Sequence, residues 1–122
     1  MYEKKMRKTF ACGMSVIMEI IGGKWKAYLI HCINHGVRRP SDLQRRIHTA
    51  SRRVLNLQLR ELEDHGIIKR TIYAELPLRV EYYLTDFGES LLPVIAAMET
   101  WGDQYLDTFN LLEEERRAKK AS

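Results

Sequence analysis

The side chains with the most to offer chemically are arginines. Seven of them, Arg38, Arg39, Arg45, Arg46, Arg52, Arg53 and Arg60, fall in one stretch whose single acid is Asp42. A guanidinium is always charged and presents a rigid fork of donors, which matches phosphate oxygens or the N7/O6 edge of guanine. Asn56, inside the same stretch, adds an amide suited to the N6/N7 edge of adenine. The net charge is only +4, but from Asp86 to Glu115 there are eight acids and no lysine or arginine. One end of the chain should attract polyanions and the other repel them.

Two further groups carry reactive atoms. Cys12 stands just ahead of the apolar run VIMEII and just after the basic tail MYEKKMRKTF. A helix N-terminus and nearby cations would stabilise its thiolate, and a packed small hydrophobe is the other reading. His31 and His35 have the i, i+4 spacing of zinc ligands, but with Cys32 they supply three donors and no fourth, so no metal and no cofactor is expected. Cys32, beside Leu29, reads as an inert packed thiol. There is no G-x-S-x-G, no glycine-rich phosphate loop and no Cys/His pair with an orienting group, so an enzyme is not expected. Two cysteines are too few for a disulfide framework. No run approaches the roughly 20 apolar residues of a membrane span, and the N-terminus lacks an apolar signal core. The expectation is a cytoplasmic protein with no membrane partner.

At 122 residues the chain has room for one core. We expect one domain over residues 1–122, with a basic N-terminal tail and a C-terminal dimerisation helix. Cys12 to Ile21 carries Val16, Ile17, Ile20 and Ile21 at helical spacing and stops at Gly22 and Gly23. A second helix, Lys24 to Asn34, places Trp25, Leu29, Cys32 and Ile33 on one face and ends before Gly36. In RRPSDLQRRI, Ser41 and Gln44 have capping-box spacing, and Leu43 and Ile47 form the buried stripe of a short helix. After a connection over residues 48–51, another helix runs to His65, with Ser51 as N-cap and Gly66 beyond its end. Leu55, Leu59 and Leu62 fall on its core side, opposite Arg53, Asn56, Leu57 and Arg60. Two short helices, a tight connection and an Arg/Asn face have the form of a helix-turn-helix.

The following residues, GIIKRTIYAELPLRVEYYLT, alternate as strands do. Ile68, Ile72, Val80, Tyr82 and Leu84 interleave with Lys69, Thr71, Arg79 and Glu81, and Ala74 to Leu78 form the turn around Pro77. A hairpin directly after a recognition helix is a wing, from which Lys69 or Arg79 could reach flanking phosphates or the minor groove. The last element reads as one long helix capped by Thr85 and kinked at Pro93, with Leu91, Ile95, Met98, Trp101, Tyr105 and Phe109 at helical spacing. Such a stripe exceeds what one small domain buries, which favours a dimer seam over an aromatic ligand box.

These pieces resemble the HxlR-type winged helix-turn-helix transcriptional regulators. The resemblance is carried by CGMSVIMEIIGGKWKAYLI, RPSDLQRRI, LNLQLRELEDHGIIKRTIY, PLRVEYYLTDFGESL and ETWG, in that order over about residues 12–102. It implies a mainly α fold with a small β-hairpin wing, in a bacterial or archaeal homodimer without catalytic activity. The dimer would be built from the terminal helices, with Leu91, Ile95, Met98, Trp101 and Tyr105 at its interface. It also implies binding to double-stranded DNA at a pseudo-palindromic operator. The expected DNA-contact set is Arg39, Ser41, Arg45, Ser51, Arg52, Arg53, Asn56 and Arg60, with Lys69 and Arg79 from the wing. The resemblance also implies that in some members a cysteine at the position of Cys12 senses oxidants or electrophiles, which makes an oxidant or a small molecule a candidate inducer. Here Cys12 precedes Gly13 where the family usually has proline, and no cysteine follows Cys32, which excludes a sensor pairing N- and C-terminal cysteines. Two other functions stay open at this point: a winged-helix protein-interaction module without DNA specificity, and a stand-alone thiol or metal sensor.

Overall fold

The computed structural model describes residues 10–121, so the basic tail expected ahead of Cys12 lies outside the described residues. The chain forms two compact units, the first ending at Glu89 and the second beginning at Ser90. In the first, helices α1 (Gly13–Ile21), α2 (Lys26–Asn34), α3 (Pro40–Arg46) and α4 (Arg52–Asp64) lead into strands β1 (Ile68–Tyr73) and β2 (Arg79–Leu84) and a one-turn helix α5 (Asp86–Glu89). The second holds α6 (Leu92–Gln104) and α7 (Leu106–Ala121). The expected class, mainly α with one antiparallel hairpin, is the observed one.

Helices α2, α3 and α4 of the first unit are each placed by an apolar stripe. Leu29, Ile30, Cys32 and Ile33 of α2, Leu43 and Ile47 around α3, Leu55, Leu59 and Leu62 of α4, and Ile67 and Ile68 at the root of the hairpin are all buried. Leaving such side chains in water would cost about 1.5–3 kcal/mol each, so their common core sets which way these helices face. α2 packs on β2, α4 and α1, and α4 packs on β1, α3 and α1. The strands pair from Ile68 with Leu84 to Tyr73 with Arg79. The Tyr82 N–H also donates to the Arg38 carbonyl at 2.9 Å, so the segment before α3 is tied to the wing. Alternation holds only at the root: Ile68 and Tyr82 are buried, whereas Ile72 is exposed towards the tip.

Three expectations are corrected. The capping box does not form: Arg39 is the N-cap of α3 without a side-chain bond, and Pro40 occupies the first turn. A proline fits there because its fixed φ suits the helix and the missing N–H has no partner to lose. Gln44 instead donates from Nε2 to the Ala50 carbonyl at 2.7 Å, closing the turn between α3 and α4. Second, α2 begins at Lys26, with half-buried Trp25 as its N-cap rather than on the helix face. Third, the long C-terminal helix is three helices. Pro93 lies in the first turn of α6 rather than kinking a helix from Thr85, because it has no N–H to continue one. A second interruption at Tyr105 separates α6 from α7, just after the weak helix former Gly102.

Thr85 still caps, but only for one turn. Its hydroxyl donates to the Gly66 carbonyl at 2.5 Å and accepts from the Gly88 N–H at 3.0 Å, and its N–H donates to the Ile67 carbonyl at 3.0 Å. This knot fastens the end of the wing to the exit of α4, where Gly66 turns the chain at φ +74°. Gly88 is buried, and a Cβ there would collide with the Ile67 carbonyl. Gly88→Ala should therefore lower the unfolding free energy by about 1–3 kcal/mol. Gly13, with open space at its Cβ, is the control: Gly13→Ala should be neutral or stabilising by up to about 1 kcal/mol. Equal effects of the two in urea titrations would refute the knot's role.

Candidate nucleic-acid interface

α4 is the best defined element of the site. Ser51 is its N-cap, its hydroxyl accepting the Val54 N–H at 3.1 Å, and His65 and Gly66 close its other end. Two polar clamps add to the leucine seam. The Lys26 ammonium, almost fully buried, lies 2.8 Å from the Glu61 carboxylate, and the Trp25 N–H donates to Gln58 Oε1 at 2.8 Å. Gly23 leaves room for that amide, since a Cβ would press on the Gln58 side chain. Glu61 and Gln58 are three residues apart and so share one side of the helix. With the leucines and these clamps fixed inward, Arg52, Arg53, Asn56, Leu57 and Arg60 are left exposed.

The structure brings most of the expected residues into one neighbourhood. Arg52, Asn56 and Arg60 line an open groove of about 690 Å³ between α4 and the wing, together with Pro40 and Tyr82. Arg52, Arg53, Asn56 and Arg60 line a second concavity of about 640 Å³ along the helix. Arg39, Ser41 and Arg52 face the wing tip across a smaller one of about 390 Å³. Arg45 is exposed and pairs with Asp42 at 3.0 Å, a surface contact worth a few tenths of a kcal/mol (about 0.2–0.5). Lys69 is exposed on the face of the hairpin that also holds Tyr83, and lines none of these grooves.

Arg70, which the sequence reading passed over, lines the groove between α4 and the wing, 3.9 Å from Glu63. The signal was present: strand alternation puts Arg70 on the same face as its partner Tyr82.

Arg79 is differently employed from a free phosphate contact. Its Nη1 donates to Glu81 at 2.5 Å and its Nη2 to Glu75 at 2.8 Å, and its guanidinium lies 3.8 Å from the centre of the Tyr73 ring. Tyr83 donates to the other Glu81 oxygen at 2.6 Å and meets the Tyr73 hydroxyl at 3.0 Å. These bonds hold the Glu81 carboxyl below the usual range, Tyr83 first and Arg79 second, and Arg79 does the same for Glu75. The tyrosine hydroxyl of Tyr83 is pushed up by the carboxylate it serves. Because the carboxyl groups are depressed, this network is intact above the ordinary carboxylate range and opens as pH falls through the folded values. At the tip, Leu76 and Leu78 are exposed and line a concavity with Arg39, Arg52 and the paired Arg79.

The two thiols differ as their positions dictate. Cys12 is exposed and is the N-cap of α1; hydrogen bonds from Ser15, its backbone first and its hydroxyl second, hold the thiol below its ordinary pKa. Cys32 is fully buried in α2, and burial pushes its thiol up. His35 Nδ1 is spent on the His31 carbonyl at 2.9 Å, and among the described residues no cluster of three or more His, Cys, Asp or Glu could hold a metal. Among the described residues, no helix is long and apolar enough to cross a membrane.

Known proteins share this chain's family and fold. The family model for HxlR-like helix-turn-helix proteins matches residues 20–110. The HTH-type transcriptional regulator YdeP of Bacillus subtilis is 42% identical over 108 residues, which is 88% of this chain and 84% of YdeP. Among solved structures, the redox regulator HypR in its oxidised form superposes with a TM-score of 0.73 at 40% identity, covering 76% of this chain and 96% of that one. The reduced form of the regulator YodB from B. subtilis does so at 0.67 and 30% identity, over 80% and 95% of the two chains. With its helix-turn-helix, its wing and a family match over most of its length, the chain belongs to the HxlR-like helix-turn-helix family of DNA-binding transcriptional regulators.

Proposed function

We propose that the protein is a homodimeric regulator that binds a pseudo-palindromic operator in the cytoplasm, with α4 in the major groove and Arg53, Asn56 and Arg60 at the base edges. The observation that carries this reading is the division of α4 into a fully packed leucine side and an exposed Arg/Asn side. Arg39, Ser41, Arg45, Ser51, Arg52 and Arg70 surround that face and supply phosphate contacts, which position the helix without reading sequence. Lys69 serves the flanking backbone from the wing. Dimerisation is supported by the second unit, where Met98, Trp101, Tyr105 and Phe109 are all exposed and the Trp101 and Tyr105 rings stack at 4.9 Å. Leu91 and Ile95 are already buried within the chain, so the seam falls to Met98 and the residues after it. Two copies place two recognition helices on half-sites about 34–36 Å apart.

A duplex enriched from random sequence by the purified protein tests the groove reading. Arg53→Ala and Asn56→Ala should weaken binding to that duplex more than to random DNA, by about 1–3 kcal/mol. Equal losses on both would make the residue a phosphate contact. Arg52→Ala should flatten the slope of log K against log salt by about one unit, whereas Arg79→Ala, its charge already matched by Glu75 and Glu81, should change it by less than about half a unit. A full unit lost with Arg79→Ala would mean that its ion pairs open on DNA.

Cys12 is the proposed switch. Exposure and a lowered pKa favour it, and α1, which it caps, packs directly on α4. An added group there would act through α1, whose far end meets α4 through Glu19 and His65. In the intact protein, Cys12 should alkylate with a pH midpoint below the roughly 8.5 of a free thiol, while Cys32 stays unreactive. Diamide should alter operator binding of the parent and leave Cys12→Ser unaffected. A Cys12→Ser protein that responds like the parent removes Cys12 from the mechanism.

A further inference from the structure

A single exposed leucine ordinarily needs no explanation. Leu57 is different because of where it stands. It is 52% exposed on α4, four residues after Arg53 and three before Arg60, so the two arginines are its neighbours on the helix surface. With Arg52, Arg53, Asn56 and Arg60 it lines the concavity of about 640 Å³. The core of the unit is on the other side, with Leu55, Leu59 and Leu62. Leu57 therefore lies outside the core of the described residues, and with Val54, 37% exposed three residues earlier, it puts apolar surface among the arginines and Asn56. The major groove presents one apolar group at a base edge, the C5-methyl of thymine.

We propose that Leu57 is a specificity-determining residue, packing against a thymine C5-methyl in each half-site. The proposal rests on the reading of α4 as the helix in the major groove. It adds a base that hydrogen-bond chemistry does not announce: arginine and asparagine select guanine and adenine, whereas Leu57 distinguishes thymine from a base lacking its methyl. Burying one methyl corresponds to about a fourfold change in affinity per half-site.

The test uses the full chain and the duplex it enriches from random sequence. Thymines are replaced one at a time by deoxyuridine, which lacks only the methyl. At one thymine position of the half-site the parent should lose about fourfold, Leu57→Met should lose nearly as much, and Leu57→Ala should bind both duplexes equally. The alanine variant should fold, since the position is exposed and alanine is the strongest helix former; thermal unfolding checks this, and Leu57→Met carries the test if it does not. The proposal is overturned if the parent binds every deoxyuridine duplex as well as the thymine one, or if the loss persists in Leu57→Ala. Failure to enrich any sequence would be a different result, removing the groove reading itself and this proposal with it, and pointing to Leu57 as a protein contact.

Discussion

Glu61 and Gln58 leave α4 one way to turn. A helix seated by leucines alone could roll in its seat, and a shift of one residue moves a side chain by about 100° around the axis. The Lys26–Glu61 ion pair and the Trp25–Gln58 hydrogen bond remove that freedom from the start of α2. Lys26 is almost fully buried, so leaving its ammonium unpaired would be costly; pairs buried on both sides cost about 3–5 kcal/mol to break. Glu61 is nearly half exposed, which puts this pair at or below the lower end. Its larger effect is on direction: everything proposed for Arg53, Asn56, Leu57 and Arg60 depends on the face that this clamp presents. Part of the sequence I-G-G-K-W-K acquires a physical meaning here, with Gly23 making space for Gln58, the backbone N–H of Trp25 donating to it, and Lys26 pairing with Glu61.

The wing is held by a separate device. Arg79 lies between Glu75 and Glu81 and over Tyr73, and the Thr85–Gly88 knot fixes the base of β2 to the exit of α4. Its tip therefore presents Leu76, Pro77 and Leu78 rather than a free cation. The arginines that line the grooves come mainly from α3 and α4, joined by Arg70 of β1, while Lys69 is exposed on the other face of the hairpin.

What could be read from sequence follows from how each feature is encoded. The faces of α4 were legible because Leu55, Leu59 and Leu62 repeat at helical period, and the hairpin because its strands alternate at their root. The start of α3 was not, because Ser41 and Gln44 fit a capping box while Pro40, one residue earlier, already begins the helix. The C-terminal helix was read as continuous because its apolar period runs through Pro93 and Tyr105, although Pro93 can only open a helix there. Arg79 looked free because an ion pair across a hairpin depends on register and turn geometry, neither of which alternation reports. Arg70 was missed although its strand parity pointed inward, since a lone charge in a strand reads as solvated. The clamp at Lys26 gave no signal: a lysine buried by its partner looks in sequence like any other lysine.

On this reading the clamped α4 contacts bases as well as phosphates. The most direct measurement is the ratio of affinities for an enriched operator duplex and for random duplex, taken by fluorescence anisotropy at one fixed salt concentration. Because phosphate contacts act on both duplexes alike, the ratio isolates base reading. Base reading by α4 should give a ratio of about 10³ or more near physiological salt. A ratio close to one, with affinity that only falls as salt rises, would contradict it and leave the arginine face as a nonspecific polyanion surface.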